Sequence, residues 1–249
     1  MTLPGDLIEA LRTAKRIAVL TGAGISAESG VPTFRDENGL WEGMRPEDVA
    51  TPEAYARDPQ MVWDWYAARR EKVRTVQPNA GHLALAEIER HVPHFTLATQ
   101  NIDGLHATAG SVNVLELHGS IMRFSCFANE RCKTQPGAPD PTDDGAPRVP
   151  RCDLCGALVR PAVVWFGEML PEDVLYAAMN AAKQCDLFLT IGTSALVYPA
   201  AALPEVALQN GARVLEVNPD STPFTRFATW SIRNKAGDVL PALVKATWD

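Results

Sequence analysis

Several absences in this sequence each remove a class of function. No run of about 18 apolar residues occurs, so a membrane-spanning helix is excluded. Basic residues are in the minority: 23 Lys and Arg stand against 30 Asp and Glu, a net charge of −7. That balance removes the electrostatic grip that nucleic-acid binding needs, and no stable nucleic-acid partner is expected. The N-terminus has neither the basic region nor the apolar stretch of an export signal, so the cytoplasm is the expected compartment. Neither an internal repeat nor a coiled-coil pattern is evident, and a monomer is expected. Cysteine is scarce. Five cannot all pair, and four fall in one short region, which in a cytoplasmic protein points to metal before disulfides.

What is present is a soluble, well-packed composition, 46% hydrophobic and 21% charged. The apolar run Ile17–Leu20 empties into Gly22-Ala23-Gly24-Ile25-Ser26-Ala27. A buried strand ending in G-x-G-x-x-A brings backbone N–H groups against a dinucleotide pyrophosphate, and a Cβ there would hold the phosphate away. A simple dinucleotide unit would continue with a helix, a second strand and an acidic residue about 20 positions on. Here residues 31–45 read as a loop with Pro32, Gly39 and Gly43, and residues 52–90 as mainly helical. The missing strand argues against a hydride-transfer enzyme. Strands are expected at 16–20, 95–99, 112–117, 186–191 and 213–217, with helices at 6–15, 172–184 and 199–210. The alternation predicts an α/β, Rossmann-like parallel sheet with helices on both faces. Its carboxyl edge would carry Gln100-Asn101, His118-Gly119, Gly192-Thr193-Ser194 and Asn218-Pro219, where open sheets bind ligands.

Residues 121–160 differ in character. The piece from Gln135 to Pro150 holds five prolines and two glycines, which neither helix nor strand interiors accept. Cys152 and Cys155 form a C-x2-C knuckle, while Cys126 and Cys132 stand in a wider C-x5-C spacing. Together they are read as ligands of one structural zinc, since four thiolates leave no open position for catalysis. Cys132 is the ligand that the spacing puts in question. The alternative is a module that has lost its metal, its cysteines packed as small hydrophobes. Cys185, at an apolar strand, is read as core.

The segments Leu20–Gly30, Val31-Pro32-Thr33-Phe34-Arg35, Gln100-Asn101-Ile102-Asp103 and Leu117-His118-Gly119 together resemble the sirtuins, the NAD-dependent protein-lysine deacylases. The resemblance runs from about Arg16 to Asp238. It implies one catalytic domain over residues 1–249. Within it lie a Rossmann-like NAD-binding part (16–30, 91–120 and 161–249), a cofactor loop and helical insert (31–90), and a small zinc module (121–160). NAD would be consumed as a co-substrate: the acyl-amide oxygen displaces nicotinamide, and His118 acts as general base on a ribose hydroxyl. Nicotinamide, O-acyl-ADP-ribose and free lysine are the implied products. The same resemblance implies NAD contacts from Gly22, Ala23, Gly24, Ile25 and Ser26. It implies a covering loop bearing Thr33, Phe34, Arg35 and Trp41, a nicotinamide pocket lined by Asn101 and Asp103, Gln100 and Ser26 against the ribose and phosphates, and a further cofactor contact from Ile102. Adenosine-side contacts would come from Gly192, Thr193, Ser194, Val197, Asn218, Pro219, Asp220 and Ala236, the last in a turn. The segment Val163, Val164, Trp165, Phe166, Gly167 and Glu168 would pair with the acyl-lysine peptide by β-augmentation.

Tyr66 and Arg69 stand at i and i+3 of a predicted helix and share a face. A phenol and a guanidinium together recognise a carboxylate. This Y-x-x-R resembles the bacterial class III sirtuins, which remove succinyl and malonyl groups as well as acetyl. Dual activity is therefore expected, with His82 in a structural role. Two other readings stand beside it: mono-ADP-ribosyl transfer, and a non-catalytic NAD sensor or zinc-ribbon binder. The acidic charge and the intact His118 speak against the non-catalytic one.

Overall fold

The computed structural model describes residues 2–32, 44–127, 132 and 149–249. Thr33, Phe34, Arg35 and Trp41 lie outside the described residues. The chain opens with α1 (Gly5–Thr13), β1 (Arg16–Thr21) and α2 (Ala23–Ser26), the last starting directly from the glycine turn. Four helices follow: α3 (Pro46–Val49), α4 (Pro52–Arg57), α5 (Pro59–Thr75) and α6 (Ala80–His91). Their starts are written locally. Thr51, Asp58 and Asn79 each accept a backbone N–H of the first turn, and proline follows directly at α4 and α5.

Next come β2 (His94–Thr99), α7 (Leu105–Thr108), β3 (Val114–Glu116), β4 (Gly119–Cys126) and β5 (Val159–Val163). The chain closes with α8 (Glu172–Gln184), β6 (Leu187–Ile191), α9 (Leu203–Gln209), β7 (Arg213–Val217), β8 (Trp230–Ile232) and α10 (Ala236–Trp248). Six strands form one parallel sheet in the order β3-β2-β1-β6-β7-β8. β4 and β5 form a separate antiparallel pair.

Alternation along the strands feeds two cores. Ile17 and Val19 of β1 face a core shared with α1, α6 and α10, through Leu7, Leu85 and Leu243. Ala18 and Leu20 face the other side, where Ala178 of α8 and Ala207 of α9 pack. A third cluster joins the helical insert to the small sheet through Tyr55, Tyr66, Ile121 and Trp165.

Three expectations shift. The strand expected at 112–117 is only Val114–Glu116, because the Glu89 carboxylate takes the amides of Val112 and Asn113 at 2.9 and 2.8 Å. The helix expected over 199–210 begins as a short 3-10 turn before Leu203. The turn expected at Ala236-Gly237-Asp238 is the first turn of α10, with Ala236 buried and the Gly237 N–H held by Glu28.

Candidate active site

The strand order reverses beside β1: the chain builds β2 and β3 on one flank, then returns to lay β6 on the other. Such a switch point opens a crevice at the carboxyl edge. Gly22 and Gly192 meet there. A Cβ on Gly24 would stand 2.8 Å from the Gly192 backbone, and one on Gly22 2.8 Å from the Gly192 carbonyl. The Gly24 N–H donates to Gly192 O at 2.8 Å. These glycines therefore let two loops touch, in addition to any approach of phosphate to main chain. The four carboxyl-edge clusters are bonded to one another. Gln100 donates to the Thr193 hydroxyl at 2.8 Å and Asn218 to the Thr193 carbonyl at 3.0 Å.

Beneath the crevice lies a buried polar network centred on Ser26. Its hydroxyl donates to Asp103 Oδ2 at 2.8 Å. A serine has one proton to give, so Asn101 Nδ2 at 3.1 Å and His82 Nε2 at 3.3 Å are donors to it. That assignment leaves His82 Nδ1 as the acceptor of the Asn79 N–H at 3.3 Å, which closes the cap of α6. The other Asp103 oxygen accepts from Leu105 N at 2.9 Å. Burial raises the Asp103 carboxyl above its usual range, against these bonds. Burial also pushes His82 down to about 4, and the adjacent His106 to about 3. Both rings are neutral, their centroids 4.8 Å apart. His82, read from sequence as structural, thus sits directly on a residue of the proposed NAD pocket.

His118 lies between β3 and β4. Its Nδ1 is 2.9 Å from the Gln100 carbonyl. A carbonyl only accepts, so Nδ1 carries the proton and Nε2 keeps a free lone pair. Burial lowers the pKa of the ring, and the carbonyl partly offsets this. Gly119 follows with φ +75°, and a Cβ there would lie 2.1 Å from the Ala162 carbonyl. The chain can therefore turn from the large sheet into the small one only at this glycine.

In the segment expected to pair with a peptide, Val164 N donates to the His118 carbonyl at 2.9 Å, so the loop after β5 is anchored to the histidine's own backbone. Val163 pairs with Gly119 at the end of β5, and Phe166 is exposed. Trp165 turns inward and is buried, its indole N–H donating to the Tyr66 hydroxyl at 3.0 Å. Glu168 closes the loop by accepting Trp165 N at 2.8 Å and a two-pronged bond from Arg160. Arg69 is half-buried, its guanidinium carbon 3.2 Å from the centroid of the Trp65 ring.

A sequence model of the Sir2 family matches residues 22–199. The chain belongs to the Sir2 family. It is 49% identical over 239 residues to NAD-dependent protein deacylase 1 of Archaeoglobus fulgidus, covering 96% of both chains. Among solved structures, a Sir2 homologue–NAD complex superposes with a TM-score of 0.90 at 48% identity, covering 99% of this chain and 94% of that one. A Sir2–p53 peptide–NAD+ structure superposes with a TM-score of 0.86 at 30% identity, covering 98% of both.

The sirtuin's four clustered cysteines fit one metal ion. The sulfurs of Cys126, Cys132, Cys152 and Cys155 all lie within 4.8 Å of one another, and those of Cys126 and Cys155 are 3.7 Å apart. Tetrahedral zinc with Zn–S bonds of about 2.3 Å places its sulfurs about 3.8 Å apart. Cys132 joins the set despite its wide spacing, and four thiolates give zinc a structural role. Cys185 is buried in the sheet core. The polar floor of the crevice likewise fits NAD, with Ser26, Asn101 and Asp103 at its base and Gln100, Thr193 and Asn218 joined along its edge.

Two contributions escaped sequence reasoning. Asn79 ties α6 to the glycine turn, donating to Ile25 O at 2.7 Å, and Glu28 ties that turn to α10. The N-x-x-H cap was the available signal for the first; Glu28 offered none.

Proposed function

We propose that this NAD-dependent protein deacylase removes succinyl and malonyl groups, together with acetyl, from lysine side chains of protein substrates. The carrying observation is the link from His118 through Val164 to Trp165 and so to the Tyr66 hydroxyl on α5. It ties the helix that carries Tyr66 and Arg69 to the loop held by the backbone of His118, which supports reading the pair as the acyl-recognising element. When bound, NAD supplies an electrophilic ribose carbon and a ribose hydroxyl. Asn101 and Asp103 orient the nicotinamide end, with Gln100 and Ser26 against the ribose and phosphates. Gly192, Thr193, Ser194, Asn218 and Ala236 serve the adenosine side. Nε2 of His118 takes the hydroxyl proton, the Gln100 carbonyl holding the ring in the tautomer that can do so. Residues Val163–Glu168 align the peptide, and Arg69 meets the end of a dicarboxylic acyl chain. The reading includes a monomer working in the cytoplasm.

The test uses NAD and one peptide carrying either succinyl-lysine or acetyl-lysine, with O-acyl-ADP-ribose followed by mass spectrometry. His118→Ala is expected to slow both reactions by about 10²–10⁴-fold. Arg69→Met is expected to weaken succinyl turnover by tens of fold, the loss of a charged hydrogen bond, while acetyl turnover persists. Acetyl removal alone in the unaltered enzyme sinks the role of Tyr66 and Arg69. Labelled protein in place of O-acyl-ADP-ribose would turn the reading to ADP-ribosyl transfer.

A further inference from the structure

A phenol can both accept and donate, and which it offers a ligand depends on what already holds its oxygen. At Tyr66 the holder is the indole N–H of Trp165, 3.0 Å away. An indole nitrogen is a donor only, so the Tyr66 oxygen accepts and its proton is left for another group. Burial raises the Tyr66 pKa, so that proton stays in place at neutral pH. The indole is itself fixed. It is 2% exposed, with the Arg160 guanidinium carbon 3.3 Å from its centroid and its backbone N–H on Glu168. Arg160, 5% exposed, is held by the same carboxylate. Glu168, Arg160, Trp165 and Tyr66 thus form one connected path from the loop behind His118 to the face of α5.

We propose that Trp165 is a positioning residue for acyl-group selectivity: by occupying the Tyr66 oxygen, it makes the phenol a dedicated donor to acceptor-only acyl termini, namely carboxylates. The inference rests on the reading that Tyr66 and Arg69 meet the acyl chain. It adds a consequence for other chains: an end that can only donate, such as an ammonium, meets a Tyr66 oxygen that already accepts from Trp165.

The experiment measures KM and kcat for succinyl-lysine and acetyl-lysine in one peptide with NAD. It compares the unaltered enzyme, Trp165→Phe, Tyr66→Phe and the double variant. Trp165→Phe is expected to raise the ratio of succinyl KM to acetyl KM about fivefold, the effect of losing one neutral hydrogen bond. In the Tyr66→Phe background the same substitution leaves that ratio unmoved, because the partner is gone. A parallel rise of both KM values, or an equal shift in both backgrounds, overturns the proposal in favour of plain packing. Benzothienylalanine at position 165 keeps the bicyclic ring and deletes only the N–H. It is expected to shift the ratio as phenylalanine does, and an unmoved ratio there overturns the proposal even if Trp165→Phe folds poorly. An unaltered enzyme that removes neither succinyl nor malonyl sinks the acyl-class reading itself, and this inference with it. Succinyl removal with an unshifted ratio sinks only the role of Trp165.

Discussion

A histidine can act as base only when deprotonated at the right nitrogen, and in His118 both conditions are set by neighbours. The Gln100 carbonyl fixes the proton on Nδ1, and burial keeps the ring neutral to lower pH than in water. The sign follows: a lowered pKa moves the loss of base toward acid. The acid limb of kcat/KM for deacylation is expected below pH 6.5, the value of an unperturbed imidazole. A limb centred above 6.5 would contradict the assignment. The placement of Gln100–Asp103 and His118 at the carboxyl edge was legible in the sequence, because contiguous segments carry it. His82 was not, because its significance lies in Ser26, 56 positions away. Trp165 was read only as part of a segment expected to face the peptide, and its inward turn toward Tyr66 depends on an aromatic cluster spread over several elements.

At the level of elements, the central strands β1, β6 and β7 were legible because each is buried on both faces and reads as an apolar run. β8 was missed because three residues make no pattern, and its place is set by pairing with β7. The small sheet was obscured by its composition, and the metal ligands were the clearer signal. Cys132 stands in a C-x5-C spacing that sequence alone left open, yet its sulfur falls within the cluster. One zinc per chain is therefore expected by atomic absorption, with Cys132→Ser weakening retention. Stripping the metal should lower the melting temperature on the order of 10 °C, as for a loss of several kcal/mol in a chain of this size. Unchanged melting after complete chelation would show that β4 and β5 stand without it.

For the whole molecule, packing a parallel sheet between two helical layers forces polar groups at the carboxyl edge into a dry interior. His82 and His106 are the extreme cases, with pKa values brought down to about 4 and about 3. An unfolded chain protonates both imidazoles near pH 6.5, whereas the folded one resists until far lower. The unfolded state therefore binds more protons between about pH 6.5 and 4, and stability falls as pH falls through that window. The slope should be on the order of 1 kcal/mol per pH unit for each histidine, read from urea unfolding across that range. Asp103 acts oppositely: its raised pKa favours the folded state on acidification, so His82→Gln and His106→Gln should flatten the curve, whereas Asp103→Asn should steepen it.

Ile102 sits between Asn101 and Asp103 of the polar network, yet its side chain packs against the aromatic cluster of Tyr66 and Trp165. A single tripeptide thus separates the buried polar network from the aromatic cluster, the two sides proposed above for the dinucleotide and the acyl chain. A compound that grips both and is joined across that thin wall converts its second capture into an intramolecular event. With a short tether its avidity could exceed that of either half by about 10²–10⁴-fold without any added contact.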